Sequence, residues 1–222
     1  MAEQIVRPAW GAGEQMNAFE SLMWRMESDP TLRAATLSCE ELDRVPDWAR
    51  FVAAHEWAVR MAPRFRQRVV EPAFGLGTAR WAEDPHFDLR FHLRRQRLPE
   101  GAGWPGLMEA VAQFYMTPLD RTRAPWEIVL FEGLPEGRAL YTLKMHHSVT
   151  DGMGVMQLLS RLHSRDREPN PDKPQPEFGA GARLDPMSAL LHQVRGDLVS
   201  LPGVARGVGV GTVRALANPF GT

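Results

Sequence analysis

The stretch Trp126–Gly152, WEIVLFEGLPEGRALYTLKMHHSVTDG, decides the fold. Two apolar runs, rich in aromatic and β-branched residues, flank Pro135-Glu136-Gly137, which is the chemistry of a turn. The spacing predicts an antiparallel hairpin. Its second strand runs into two adjacent histidines, His146 and His147, and Asp151 and Gly152 follow three residues later. A helix is expected from about Gly154 to His163, with Val155, Leu158, Leu159 and Leu162 on its apolar stripe.

Successive strand side chains point to opposite faces. If the strand persists through the pair, His147 shares a face with Tyr141, Leu143 and Met145, and His146 shares the other with Thr142 and Lys144. The expectation is therefore that His147 sits among apolar neighbours and His146 among polar ones. Two rings pointing apart are poor joint ligands for one ion, which argues against zinc. A neutral imidazole in an apolar setting is a good proton acceptor near neutral pH, because burial disfavours its charged form. Asp151 stands where the chain turns toward a helix. It can cap that helix or pair with an arginine, and either role fixes the loop that carries His147.

Upstream, "EQMNAFESLMWRME" carries Met16, Phe19, Met23 and Met26 at helical spacing, and Asp29-Pro30 ends that helix. "PDWARFVAAHEWAVRMA" predicts a second helix, with Pro46 near its start and Phe51, Ala54, Ala58 and Met61 toward the core. "HFDLRFHLRRQRL" alternates with a period of two. It predicts a strand with Phe87, Leu89, Phe91 and Leu93 inside and Asp88, Arg90, His92 and Arg94 outside. "LMEAVAQFYM" predicts a short helix closed by Pro118. Downstream, residues 166–183 are rich in proline, glycine and charge and read as a linker. Met187, Leu190, Leu191, Val194, Leu198 and Leu201 then form another helical stripe.

The 222 residues are 44% hydrophobic, enough for a substantial core, and the formal charge of -1 argues against nucleic acid as a partner. Cys39 is the single cysteine, so no disulfide forms within the chain; it reads as a small buried apolar residue. The N-terminus lacks the basic-then-apolar order of a secretory signal, and no window reaches eighteen consecutive apolar residues. A cytoplasmic location is expected, with peripheral contact to the inner membrane or lipid droplets left open. The clusters Arg64, Arg66, Arg68 and Arg90, Arg94, Arg95, Arg97 read first as solvated faces and second as contacts for anionic phosphates or an anionic membrane surface.

The run "HHSVTDG" resembles the His-His-x-x-x-Asp-Gly motif of the coenzyme A-dependent acyltransferase superfamily, which includes chloramphenicol acetyltransferase and condensation domains. The blocks Trp81–Pro99, "PLDRTRAPWE" (Pro118–Glu127) and "MSALLHQVRGDL" narrow the resemblance to bacterial wax ester synthases/diacylglycerol acyltransferases. Two departures stand out. Ala124-Pro125-Trp126 replaces the family's Pro-Leu-Trp, and "ESDPTLRAATL" replaces a Pro-Met-His run, which bears on substrate choice.

The resemblance implies an α/β, chloramphenicol acetyltransferase-like mixed sheet flanked by helices, forming one half of a two-domain acyltransferase. It implies an N-terminal acyltransferase domain over 1–165, the linker over 166–185, and a helical connector over 186–222 toward a C-terminal half. It implies acyl transfer from acyl-CoA to diacylglycerol or a long-chain alcohol, with acyl-CoA as substrate and no cofactor or metal. His147 would be the general base, His146 would orient the loop, and Asp151 and Gly152 would be architectural. Pro118, Leu119, Asp120, Arg121 and Trp126 would be motif residues, and Trp24 or Trp81 could line an acyl passage. The alternatives are a condensation-type domain using carrier-bound acyl groups and a non-catalytic lipid-binding fragment needing a partner half. The C-terminal half of the same enzyme is the expected protein partner.

Overall fold

The computed structural model describes residues 14–149 and 184–200, with Glu168 and Asp172 between them. Asp151, Gly152, the helix expected over 154–163 and most of the linker lie outside the described residues. No helix among the described residues is long and apolar enough to cross a membrane.

The expected hairpin forms. Strand β5 (Trp126–Glu132) pairs antiparallel with β6 (Ala139–His146), in a register that sets Trp126 opposite Met145 and Glu127 opposite Lys144. The turn over Pro135–Gly137 places Glu136 at φ 61. Gly133, at φ 94, leaves β5 where an added Cβ would stand 3.3 Å from the Leu98 carbonyl oxygen, so the close approach requires glycine. Strand β1 (Ala35–Leu42) lies antiparallel on the other side of β6, and β4 (Leu93–Arg97) lies parallel to β5. The four-stranded sheet runs β1-β6-β5-β4. A separate antiparallel pair joins β2 (Gln67–Val70) to β3 (Arg80–Glu83). The mixed α/β architecture agrees with expectation.

Helices cover both faces of the sheet. Helix α1 (Ala18–Met26) opens on a capping box in which the Asn17 side chain accepts from the Glu20 N–H and the Glu20 carboxylate accepts from the Asn17 N–H. Helix α2 (Trp48–Met61) is capped by Asp47. With these two helices, one face of β5 and β6 forms a core of Trp24, Phe51, Val59, Phe65, Trp81, Trp126, Ile128, Leu130, Leu143 and Met145. Helix α4 (Gly103–Met116) covers the other face, where Leu107, Val111 and Phe114 meet Val129, Phe131 and Leu140.

Several expectations are corrected. Phe19 of α1 is 66% exposed, and the helix buries Ser21 and Trp24 instead, because its contact face is one position out of phase with the methionine stripe. On α2, Phe51 and Ala58 are buried, whereas Ala54 is exposed. The alternating run 86–98 is not one strand. Asp88 caps a single turn, α3 (Leu89–His92), by accepting the Arg90 N–H, and β4 starts only at Leu93. That turn rotates His92 into the core. His92 is fully buried and stacks on Trp126 at 4.4 Å, and its Nδ1–H donates to the Trp126 carbonyl oxygen at 2.7 Å.

Helix α5 (Pro186–Ser200) reaches the β2–β3 pair through Ala189, which packs with Val70 and Ala82; Met187, Leu191 and Val194 of the expected stripe are exposed. Cys39 is exposed, on edge strand β1, rather than buried. Arg64 and Arg66 are buried rather than solvated. Arg64 lies 4.2 Å over Trp81, and Arg66 Nη1 stands 3.5 Å from Glu83.

Candidate active site

Strand β6 ends at His146, and His147 opens a short 3-10 turn through Val149. The strand does not persist through the pair, so the period-two expectation fails at that step. His146 is the sealed ring, with no exposed surface, and His147 is partly exposed. The face of β6 expected to be polar is also buried, because α4 covers Thr142 and Lys144. Their polar groups are satisfied inside. Thr142 Oγ1 donates to the Val129 carbonyl at 2.8 Å, and Lys144 Nζ donates to the carbonyls of Phe114 and Thr117, each at 2.9 Å.

Nδ1 of His146 is engaged in hydrogen bonds, and Nε2 is buried. The Ser148 N–H donates to Nδ1 at 3.1 Å, and the Ser148 hydroxyl lies 2.7 Å from the same atom. Nδ1 is therefore an acceptor, and the ring proton resides on Nε2. Nε2 faces Glu27 Oε2 at 3.4 Å, and that oxygen also accepts the Ala34 N–H at 2.8 Å. The Trp24 indole meets the imidazole edge-on, with centroids 5.0 Å apart. Burial, the Arg121 charge and the neighbouring His147 push the His146 pKa down to about 4, so it is neutral at physiological pH.

The turn beyond β6 is tied to two other segments. The His146 N–H donates to the Pro125 carbonyl at 3.0 Å, and the His147 N–H donates to the Ala34 carbonyl at 2.8 Å. Pro125 belongs to the block Pro118–Glu127, which thus reaches the histidine pair through its backbone. Within that block Pro118 is exposed, Leu119 is buried, and Asp120 accepts both the N–H and the hydroxyl of Thr122. Ala124 and Trp126 are buried, and Trp126 Nε1 donates to the Phe65 carbonyl at 2.8 Å. Arg121 stacks 4.7 Å over Trp24 and donates to Glu71. The structure therefore brings together His146, His147, Arg121 and the backbone of Pro125, while Leu119, Asp120 and Trp126 support the block from further away.

Trp24 covers a histidine, and Trp81 is held under Arg64; both indoles are fully buried. Among the described residues, no group of three or more His, Cys, Asp or Glu side chains comes together to hold a metal. Glu27 and Ser148 escaped sequence reasoning. The one available signal was that Trp24 and Glu27 stand three apart on one face at the end of a helix, pairing an acid with an indole on its buried side.

Comparison with known proteins identifies relatives of this chain and of its fold. The wax ester synthase/diacylglycerol acyltransferase catalytic domain matches residues 16–220. A candidate diacylglycerol O-acyltransferase of Mycobacterium tuberculosis is 35% identical over 164 residues, covering 74% of this chain and 33% of the relative. A second from that organism is 34% identical over 182 residues, covering 79% of this chain and 36% of the relative. The wax ester synthase/diacylglycerol acyltransferase of Marinobacter aquaeolei VT8 shares the fold with a TM-score of 0.58 at 23% identity, over 86% of this chain and 46% of that one. The first condensation domain of the calcium-dependent antibiotic synthetase shares it with a TM-score of 0.55 at 20% identity, over 68% of this chain and 38% of that one. The chain thus spans about a third of the length of the curated relatives it matches. With the hairpin, the histidine turn and the match over residues 16–220 in agreement, the chain belongs to the wax ester synthase/diacylglycerol acyltransferase catalytic-domain family.

Proposed function

We propose that this chain supplies the general base of an acyl transfer from an acyl-CoA thioester to the hydroxyl of a diacylglycerol or a long-chain alcohol, with no cofactor. One observation carries the assignment of the base. Of the two adjacent rings, His146 is sealed and its acceptor nitrogen Nδ1 is already taken by the Ser148 N–H, whereas His147 retains exposed surface. A base must reach the proton that it removes.

In this reading a ring nitrogen of His147 takes the hydroxyl proton as the alcohol oxygen attacks the thioester carbonyl carbon. The tetrahedral adduct collapses, the carbon–sulfur bond breaks, and the coenzyme A thiolate leaves with the proton returned from the imidazolium. The ester is the other product. General-base catalysis of this kind contributes roughly 10²–10⁴-fold. Asp151 and Gly152 would shape the turn. The remaining walls of the site would come from the rest of the full-length protein, and peripheral association with a lipid surface would bring the acceptor to it.

The test is a steady-state assay of the full-length protein carrying this chain, with acyl-CoA as donor and diacylglycerol or hexadecanol as acceptor. His147→Ala should abolish turnover with the melting temperature unchanged, while His146→Asn should retain a measurable rate. Full activity in His147→Ala overturns the assignment. A strict requirement for a carrier-bound acyl group, with free acyl-CoA inert, would favour the condensation-type reaction instead.

A further inference from the structure

Arg121 was a motif residue without a task. Its side chain is about one-third exposed, and its guanidinium carbon lies over the buried Trp24 at 4.7 Å from the ring centroid. Nη2 of Arg121 donates to Glu71 Oε1 at 2.8 Å, and Trp24 Nε1 donates to the same oxygen at 3.1 Å. Arg121, Glu71 and Trp24 thus close a triangle that grips the indole by its face and by its N–H. Cation–π contact and charge-assisted hydrogen bonding make such a grip stiff. The gripped indole in turn rests edge-on against His146.

We propose that Arg121 is a positioning residue for acyl transfer, acting through Trp24 and His146 on the turn that carries His147. This rests on the reading of His147 as the base. The link from His146 to the turn is the Ser148 N–H on Nδ1, which exists only while that nitrogen keeps its lone pair. A proton on Nδ1 would turn the acceptor into a donor and release the turn. Among the described residues, the charged or titratable groups facing His146 are Arg121 from the block before β5, Glu27 from the end of α1, and His147 in its own turn. Glu27 favours the protonated ring, whereas burial and Arg121 oppose it. The guanidinium therefore does two things: it presses the indole into place and keeps positive charge off the imidazole.

The experiment uses the full-length protein with acyl-CoA and hexadecanol, and compares Arg121→Met, Arg121→Lys, Trp24→Phe and the double variant Arg121→Met/Trp24→Phe. Melting curves report folding, which the partly exposed position of Arg121 should spare. Misplacement of a catalytic group by a fraction of an ångström is expected to lower kcat about tenfold in Arg121→Met, with KM within about twofold of wild type. The acid limb of its kcat profile should move to higher pH. Arg121→Lys keeps the charge but loses the guanidinium contact over the indole, so its acid limb should stay in place while its kcat falls to an intermediate value. Both single changes act on one indole, so the double variant should be no slower than the slower single.

Wild-type kinetics in Arg121→Met overturns the proposal. Additive losses overturn it as well. A raised KM at unchanged kcat would mean that Arg121 touches the donor directly, and it too sinks the positioning role. A readout independent of turnover separates this from the base assignment. In histidine-ring NMR titrations, His146 should take up its proton at higher pH in Arg121→Met than in wild type. An unchanged titration overturns the proposal even if His147→Ala is inactive. If His147→Ala proves active, the base reading falls and the titration still decides the link from Arg121 to His146.

Discussion

Acidification tests the buried imidazole most directly. His146 is held neutral down to about pH 4, against an ordinary value near 6.5 in the unfolded chain. Its folded-state value lies below its unfolded one, so between them the unfolded chain binds a proton that the folded chain refuses. Stability from this group is complete above about pH 6.5 and is lost as the pH falls through that window. At about 1.4 kcal/mol per pH unit, the whole window is worth about 3 kcal/mol, and about 2 kcal/mol of it is gone by pH 5. The assay is urea unfolding followed by tryptophan fluorescence at about pH 7.5 and about pH 5, on wild type and on His146→Asn. An asparagine oxygen can still accept the Ser148 N–H but does not titrate. His92, whose pKa is also lowered by burial, is present in both proteins and cancels in the comparison. Wild type should lose about 2 kcal/mol more than His146→Asn between the two conditions. Equal losses would refute the claim that this ring folds neutral against a proton.

Lys144→Met leaves the buried Glu127 with Arg94 as its remaining partner and strips the Phe114 and Thr117 carbonyls of their donor, so a loss of about 3 kcal/mol is expected, at the low end for a broken buried pair. Glu127→Leu in the same background should restore at least half of it, and a Lys144→Met protein as stable as wild type to urea would contradict the ion-pair reading. Cys39 should react with a thiol reagent in the native chain, more slowly than a free thiol because partial burial pushes its pKa up; protection lasting until unfolding would place it elsewhere.

The elements read correctly from sequence are those whose determinants are local. Alternation in β5 and β6 and the Pro135–Gly137 turn specified the hairpin because each signal lies within a few residues of its effect. Burial side was less legible. Lys144 and Thr142 look like a solvated face, yet α4 covers them, and the polar atoms find partners contributed by α4 and β5. The period-two run before β4 misled for a different reason. A four-residue helix is too short to show its own period, and the Asp88 cap that creates it is a single side chain. At the site, the motif was visible, but the groups that set the state of His146 were not. Trp24, Glu27 and Arg121 lie far from it in sequence, on either side of α2 and the β2–β3 pair, and only tertiary packing brings them together.

The proposed division of labour between the two histidines rests on counting lone pairs. A neutral imidazole offers one acceptor nitrogen. In His146 the Ser148 N–H already occupies it, and the other nitrogen carries the proton that faces Glu27. To act as a base, His146 would first have to break the bond that shapes the turn, inside a core that disfavours the charged product. His147 is held by its backbone, through the Ala34 carbonyl, and neither of its ring nitrogens is bonded to another described residue. Its ring can accept a proton without dismantling its own support. In the proposed reading the adjacent residues would differ in role because the strand stops between them: the last strand residue is held by the fold, and the first turn residue would have a lone pair to offer.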